Sequence, residues 1–180
     1  MQIAEKIVSD LKERGYDRAV LVAHSYGTMV ATRLLRRWPE LIHNLVLLDP
    51  ANMVLVAPDT LYNFIYHPPR RHSWEAWAKD IVRIIANRDP GLATTFCRKF
   101  FWHALNVWPD ELPPGCVVCV AGQDALLPAH VIRRQIEQAG GHLTLLFCER
   151  SEHGDVCKNP VWLQKVTEAM RSWLPGPASG

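Results

Sequence analysis

Three residues of the chain have the types and the placement that a hydrolytic triad needs. Ser25 lies in LVAHSYGTMVATRL (residues 21–34), where an apolar run stops and then resumes with helical spacing. Asp124 lies in AGQDALLP and His153 in SEHGD, each shortly after an apolar run of strand length. A hydroxyl, an imidazole and a carboxylate in contact supply a nucleophile, a general base and a group that orients the base. Their chemistry would be acyl transfer.

The residues around the serine fit a sharp turn between a strand and a helix. Ala23 and Gly27 lie two positions before and after Ser25, giving the pattern A-x-S-x-G. Small residues at these positions let a strand and a helix approach closely around a strained nucleophile. The five-residue pattern alone is also compatible with an ordinary turn serine, so its weight depends on the surrounding elements.

Hydrophobic periodicity predicts these elements. Continuous apolar runs predict buried strands at residues 18–23, 44–48, 117–121 and 143–148. Helical spacing predicts a first helix that ends at Gly15, and further helices at residues 28–38, 128–139 and 161–174. Strands that alternate with helices in this way indicate a parallel sheet covered by helices.

The alternation stops in the middle of the chain. Residues 59–66, 73–87 and 91–105 have helical patterns without strands between them. We therefore expect a core formed by residues 1–50 and 115–180, and a helical cap inserted at residues 51–114. The fold class is α/β, with about four mostly parallel strands flanked by helices.

The carboxyl ends of parallel strands lie at one edge of a sheet, so Ser25, Asp124 and His153 should converge there. The chain order of the three is Ser, Asp, His. This order, with the stretches HSYG, GQD and HG, resembles the second half of the α/β-hydrolase fold. The stretches PDTLYNFIYHPP and FFWHALNVW further resemble eukaryotic α/β-hydrolases with an aromatic helical cap.

The resemblance implies a role for each residue. Ser25 would be the nucleophile, His153 the general base, Asp124 the group that orients the imidazole, and the backbone N–H of Tyr26 an oxyanion donor. It implies a serine hydrolase of the esterase or lipase type, acting on a small acyl substrate without a metal or an organic cofactor. Under the cap, Tyr62, Tyr66 and Phe101 are the residues expected to line an apolar substrate pocket.

Two alternatives remain open at this point. Asp49 also ends a strand at the same edge, and some lipases of this fold place their acid there, although a turn former before Pro50 is the simpler interpretation. The chain is alternatively a non-catalytic relative that binds a partner or an apolar ligand, because the fold hosts both kinds of protein.

Composition excludes several other classes. The 180 residues are 48% hydrophobic and carry a formal charge of +2 without a basic run, which argues against nucleic-acid binding. The apolar runs are too short to span a membrane, and the N-terminus lacks the apolar core of a signal peptide. Five cysteines without framework spacing favour a reducing compartment, so we expect a cytoplasmic location. The pair Cys116 and Cys119 is interpreted as two buried strand residues.

The resemblance also implies that four earlier strands and the loop with the second oxyanion donor lie outside this sequence. Residues 18–23 would then form an apolar sheet edge, which is prone to pair with another chain. We expect that a partner or a missing N-terminal segment completes the sheet, or that the chain is a fragment with impaired activity.

Overall fold

A single parallel sheet forms the centre of the molecule. The structure, a computed structural model, describes residues 2–66, 89–95, 98 and 101–173. Within these residues the strands β1 (Ala19–His24), β2 (Ile42–Leu48), β3 (Val117–Ala121) and β4 (Thr144–Cys148) pair in the order β1-β2-β3-β4, and every pairing is parallel. The predicted α/β class with about four parallel strands is confirmed.

Helices follow the strands and cover the sheet. The α-helices of the described residues are α1 (Gln2–Glu13), α2 (Gly27–Arg37), α3 (Pro58–Tyr66), α4 (Pro90–Thr94), α5 (Ala129–Gln138) and α6 (Pro160–Met170). Short 3₁₀ turns lie at Pro39–Leu41, Ala51–Met53, Trp102–Ala104, Pro109–Glu111, Asp155–Cys157 and Arg171–Trp173. The boundaries of the core elements fall within a few residues of those predicted from periodicity.

The sheet separates two apolar layers, because successive side chains of a strand point to opposite faces. One layer contains Leu45 and Leu47 of β2 together with Ile132 and Ile136 of α5. The other contains Val46 and packs against α6. A third cluster joins α1 to α2 and the start of β2. Burial on both faces explains why the two central strands, β2 and β3, read as continuous apolar runs.

Cys116 and Cys119 are both fully buried free thiols, as predicted, but only Cys119 lies in a strand, because β3 begins one residue after Cys116. Burial raises the pKa of the Cys116 thiol to about 12. At neutral pH this group is therefore protonated, whereas a thiol that reacts or binds a metal does so as the thiolate.

The segment between β2 and β3 differs in part from the prediction. The helix expected at residues 59–66 is present as α3, and the helix expected at 73–87 lies outside the described residues. The continuous helix expected at 91–105 is wrong. Its first residues form α4, but Phe101 has φ −85° and ψ 76°, which is not helical, and Trp102 then starts a separate 3₁₀ turn. This turn directs Trp102 toward the site described below.

β1 lies at the edge of the described sheet, and its Val22 is 52% exposed. Between β2 and β3 the described residues form helices and turns and no strand. The division into a core and a cap with boundaries near residues 50 and 115 stays a prediction. None of the described helices has the length and apolar character needed to cross a membrane.

Candidate active site

Ser25 stands at a strained turn between β1 and α2. Its φ of +49° is in the left-handed region, which costs a residue other than glycine on the order of 1–3 kcal/mol. Hydrogen bonds hold this conformation: the Ser25 N–H donates to the Leu48 carbonyl at 3.0 Å, and both the N–H and the hydroxyl of Thr28 donate to the Ser25 carbonyl. A serine that several hydrogen bonds hold in a strained conformation, at a turn from a strand to a helix, has the geometry of a nucleophile elbow.

His153 connects this serine to a carboxylate. The Nε2 atom of His153 lies 2.8 Å from Ser25 Oγ, and its Nδ1 atom lies 2.5 Å from Asp124 Oδ2. The Asp124 side chain is 1% exposed and the His153 side chain 18%. The structure thus brings the three predicted residues together, with the two ring nitrogens of His153 facing different partners.

The loop after β3 fixes the position of Asp124. Its Oδ1 atom accepts the N–H groups of Leu126 at 2.7 Å and of Leu127 at 2.9 Å. Gly122 permits a close approach to the next loop, because a Cβ atom at this position would lie 2.8 Å from the backbone of Glu149. The loop that carries Asp124 and the loop that carries His153 are therefore packed directly against each other.

The electrostatic surroundings favour a protonated His153 ring. Burial lowers the pKa of this imidazole. The hydrogen bond and the charge of Asp124, with a contribution from the charge of Asp49, raise the pKa by more than burial lowers it, so that the pKa lies above its ordinary value of 6.5. A ring with a raised pKa is a stronger base toward a serine hydroxyl.

Asp49 lies beside Asp124 and His153, and the described contacts of its side chain are with groups other than Ser25. It is fully buried, and its carboxylate accepts the N–H of Ala121 at 2.8 Å and the N–H of Gly154 at 2.7 Å. Its Oδ2 atom is 3.6 Å from His24 Nε2. Burial alone would raise the pKa of this carboxyl, but His24, the two N–H groups and His153 together lower it below 3.8. Asp124, not Asp49, is thus the carboxylate that bonds the imidazole.

The predicted oxyanion donor follows the serine directly. The N–H of Tyr26 takes part in none of the backbone hydrogen bonds of this turn, and Tyr26 is the residue that precedes α2. The free N–H groups at the start of a helix attract negative charge. Gly27 differs from the expectation: a Cβ atom there would meet nothing within 4 Å, so close packing does not require glycine at this position.

An apolar cavity of about 320 Å³ opens at the serine. This volume lies at the lower end of the range typical of small-molecule sites. Ser25, Tyr26 and His153 contribute to its wall, and the remaining lining residues are Met29, Ala51, Leu55, Thr60, Phe64, Trp102, Leu126 and Leu127. Among the described residues that form the wall, only His153 and Tyr26 have titratable side chains, so this part of the cavity suits an uncharged, apolar group.

The three residues predicted to line this pocket do not do so. Tyr62 and Tyr66 lie on the outer face of α3, 60% and 55% exposed, with their rings 5.6 Å apart. Helical periodicity explains the difference, because Thr60 and Phe64 occupy the opposite face of α3 and reach the cavity. Phe101 is 71% exposed and lines a neighbouring cavity of about 350 Å³, while the adjacent Trp102 lines the cavity at the serine.

One cluster among the described residues has the composition of a metal site. Ligand atoms of Asp49, Asp124 and His153 all lie within 4.8 Å of one another. Both carboxylates already accept two backbone N–H groups, and Asp124 also bonds His153. These hydrogen bonds account for the closeness of the three groups without an ion.

The fold and the site together define the α/β-hydrolase class. The chain matches the sequence model of the Alpha/beta hydrolase family over residues 2–157. It belongs to that family. No curated protein sequence matches the chain.

Solved structures agree with this assignment at the level of the fold. The chain is similar to the meta-cleavage product hydrolase from Pseudomonas fluorescens IP01, with 16% identity and a TM-score of 0.62 over 95% of this chain and 71% of the other. It is similar to the 2-hydroxy-6-oxo-6-phenylhexa-2,4-dienoate hydrolase from Rhodococcus sp. strain RHA1, with 17% identity and a TM-score of 0.58 over 94% and 69%. A hydrolase from Pseudomonas aeruginosa PA01 gives 21% identity and a TM-score of 0.55 over 96% and 71%.

Proposed function

We propose that the chain is a serine hydrolase of the esterase or lipase type, in which Ser25, His153 and Asp124 act as a catalytic triad. The observation that carries this proposal is the chain of two contacts, 2.8 Å from Ser25 Oγ to His153 Nε2 and 2.5 Å from His153 Nδ1 to Asp124 Oδ2. A neutral imidazole held in this way accepts the hydroxyl proton while the nearby carboxylate stabilises the imidazolium that forms.

The reaction would proceed through an acyl-enzyme. Ser25 Oγ attacks the acyl carbon as His153 Nε2 takes the hydroxyl proton, and His153 then gives this proton to the departing alkoxide, which leaves as an alcohol. Water next attacks the acyl carbon and loses a proton to His153, and the carboxylic acid departs as Ser25 regains its proton. The Tyr26 N–H would donate to the negatively charged oxygen in both steps.

The cavity supports an apolar acyl or alcohol group as the part of the substrate next to the serine. Its wall is formed mainly by aliphatic and aromatic side chains, and Phe64 and Trp102 enclose it from the side of the cap. Burial of an apolar group there gains roughly 25 cal/mol per Å². A charged group at the same place would lose its hydration without a partner of opposite charge.

The direct test is the hydrolysis of 4-nitrophenyl esters whose acyl chains grow from acetate to decanoate. We expect turnover by the wild-type chain, with kcat/KM rising as the chain fills the cavity and then levelling off. Ser25→Ala should reduce turnover to background, and Ser9→Ala, an exposed serine of α1, is the matched control that should keep it. Equal turnover by wild type and Ser25→Ala would contradict the proposal.

The alternative function is the binding of an apolar ligand without turnover. The observation that favours it is the cavity itself, because apolar lining residues suffice for binding whether or not the serine reacts. Fluorescence titration with an uncharged apolar probe, Nile red, distinguishes the two. Saturable binding that Phe64→Ala weakens, combined with a wild-type chain that hydrolyses no ester, would favour the binding protein.

A further inference from the structure

Asp49 joins two loops that carry the proposed acid and base. Its Oδ1 atom accepts the N–H of Ala121, the last residue of β3, and its Oδ2 atom accepts the N–H of Gly154, the residue after His153. These contacts connect positions 72 and 105 residues away along the chain. Asp49 itself has a φ of +44°, so the backbone adopts a strained conformation to direct the carboxylate to this place.

The carboxylate is also one of the charges nearest to the imidazole. Ligand atoms of Asp49, His153 and Asp124 lie within 4.8 Å of one another, and His24 Nε2 is 3.6 Å from Asp49. Among the described residues, the thiols of Cys119 and Cys157 also lie close enough to be affected by the charge of Asp49. Two carboxylates therefore face His153, one through a direct hydrogen bond to the ring and one through space.

A turn before Pro50 does not explain these features. A turn former needs only a short polar side chain that bonds its own backbone locally. Asp49 instead directs both oxygens to distant loops and is wholly buried, which is costly for a charged group unless every contact is favourable. An amide would satisfy only one of the two N–H groups, because its NH₂ group is itself a donor.

We propose that Asp49 is a positioning residue of the hydrolase. It holds the backbone at Gly154 so that the His153 ring reaches Ser25, and its negative charge stabilises the imidazolium that forms when the serine loses its proton. This inference rests on the proposed function, in which His153 is the general base. Asp124 sets the orientation of the ring, and Asp49 sets the place of the loop that carries it.

The test compares Asp49→Asn with Asp155→Asn in the full chain. Asp155 is the matched control, because its carboxylate accepts one backbone N–H of the same loop, that of Glu152 at 2.7 Å, at a half-buried position. The first readout is the pKa of the His153 ring, which is measured by an NMR pH titration of chains with labelled histidine. The His153 signal is assigned as the one that is lost in His153→Gln. We expect this pKa to fall in Asp49→Asn and to be unchanged in Asp155→Asn.

The second readout is ester hydrolysis as a function of pH. In Asp49→Asn, kcat should fall about 10- to 100-fold with little change in KM, since a displaced base slows the chemical step. The midpoint of its acid limb should move to lower pH. Asp49→Glu keeps the charge but misplaces it, so it should lose kcat while holding the His153 pKa above that of the asparagine variant. Where Asp49→Asn yields no folded chain, Asp49→Ser, which is smaller and uncharged, takes its place.

The two proposals fail in different ways. An unchanged His153 pKa in a folded Asp49→Asn chain overturns the role of Asp49, whether or not the wild type hydrolyses esters. A wild-type chain that hydrolyses no ester, with a His153 pKa that still falls in Asp49→Asn, overturns the hydrolase and leaves the electrostatic coupling intact.

Discussion

Ser25 Oγ and His153 Nε2 lie 2.8 Å apart although 128 residues separate them in the chain. Their strands, β1 and β4, are at opposite edges of the described sheet, and three strand spacings amount to about 14 Å. The loop after β4 therefore crosses above β3 and β2 to reach the serine. Asp49, at the end of β2, lies under this crossing and bonds the loop at Gly154.

Loss of the Asp124 charge should reduce activity far more than stability. In Asp124→Asn the amide keeps the size of the side chain, but it no longer stabilises the imidazolium or fixes the ring tautomer. We expect kcat for a 4-nitrophenyl ester to fall roughly 10⁴-fold, as for comparable triads. Asp110→Asn, at an exposed position, should match the wild type. A loss below tenfold would mean that another group orients His153.

Activity should depend on the protonation of His153. The ring accepts the serine proton only when it is neutral. Burial lowers the pKa of the ring, but the hydrogen bond and charge of Asp124 and the charge of Asp49 outweigh this effect and raise the pKa above 6.5. We therefore expect kcat/KM to fall as the pH drops through a midpoint above 6.5. A profile of kcat/KM from pH 5 to 9 measures this midpoint, and a value at or below 6.5 would contradict the electrostatic account.

The two faces of α3 should respond differently to truncation. Phe64 lines the cavity, whereas Tyr62 lies on the outer face of the same helix. Phe64→Ala should lower kcat/KM for a long-chain ester about tenfold or more, because substrate contacts of this size are worth 1–3 kcal/mol. Tyr62→Ala should change it less than twofold. The reverse order of effects would show that the substrate binds elsewhere.

Much of the fold was predictable because the two central strands, β2 and β3, are buried on both faces. Their apolar runs at residues 44–48 and 117–121 gave the strand positions, and the parallel arrangement followed from the helices between them. Since parallel strands end at one edge, the convergence of Ser25, Asp124 and His153 followed as well.

What the sequence did not predict depends on tertiary contacts. The aromatic residues of α3 are evident from the sequence, but neighbouring elements decide which face of the helix turns toward a cavity. Phe64 therefore lines the cavity in place of the expected Tyr62 and Tyr66. The helix expected at 91–105 breaks at Phe101, where no glycine or proline marks a break. The proposed role of Asp49 depends on N–H groups from two loops that are distant in the chain, so no local sequence pattern around Asp49 indicates it.

Gly122 should tolerate no side chain. A Cβ atom there would lie 2.8 Å from the Cα and carbonyl oxygen of Glu149, and backbone atoms cannot move aside cheaply. Gly122→Ala should destabilise the chain by about 1–3 kcal/mol and lower its Tm by several degrees. Gly27→Ala is the control, because space around this residue is open. Calorimetry that finds both variants equal to the wild type would contradict the close approach of the two loops.

Covalent labelling of the purified chain with a fluorophosphonate probe tests whether Ser25 is a nucleophile activated by His153. The modified residue is located by peptide mass spectrometry. We predict modification of Ser25 in the wild type and in Asp155→Asn, and none at this position in Ser25→Ala or His153→Ala. A folded wild-type chain that takes no label at Ser25, or an unchanged extent of Ser25 labelling in His153→Ala, would contradict the account.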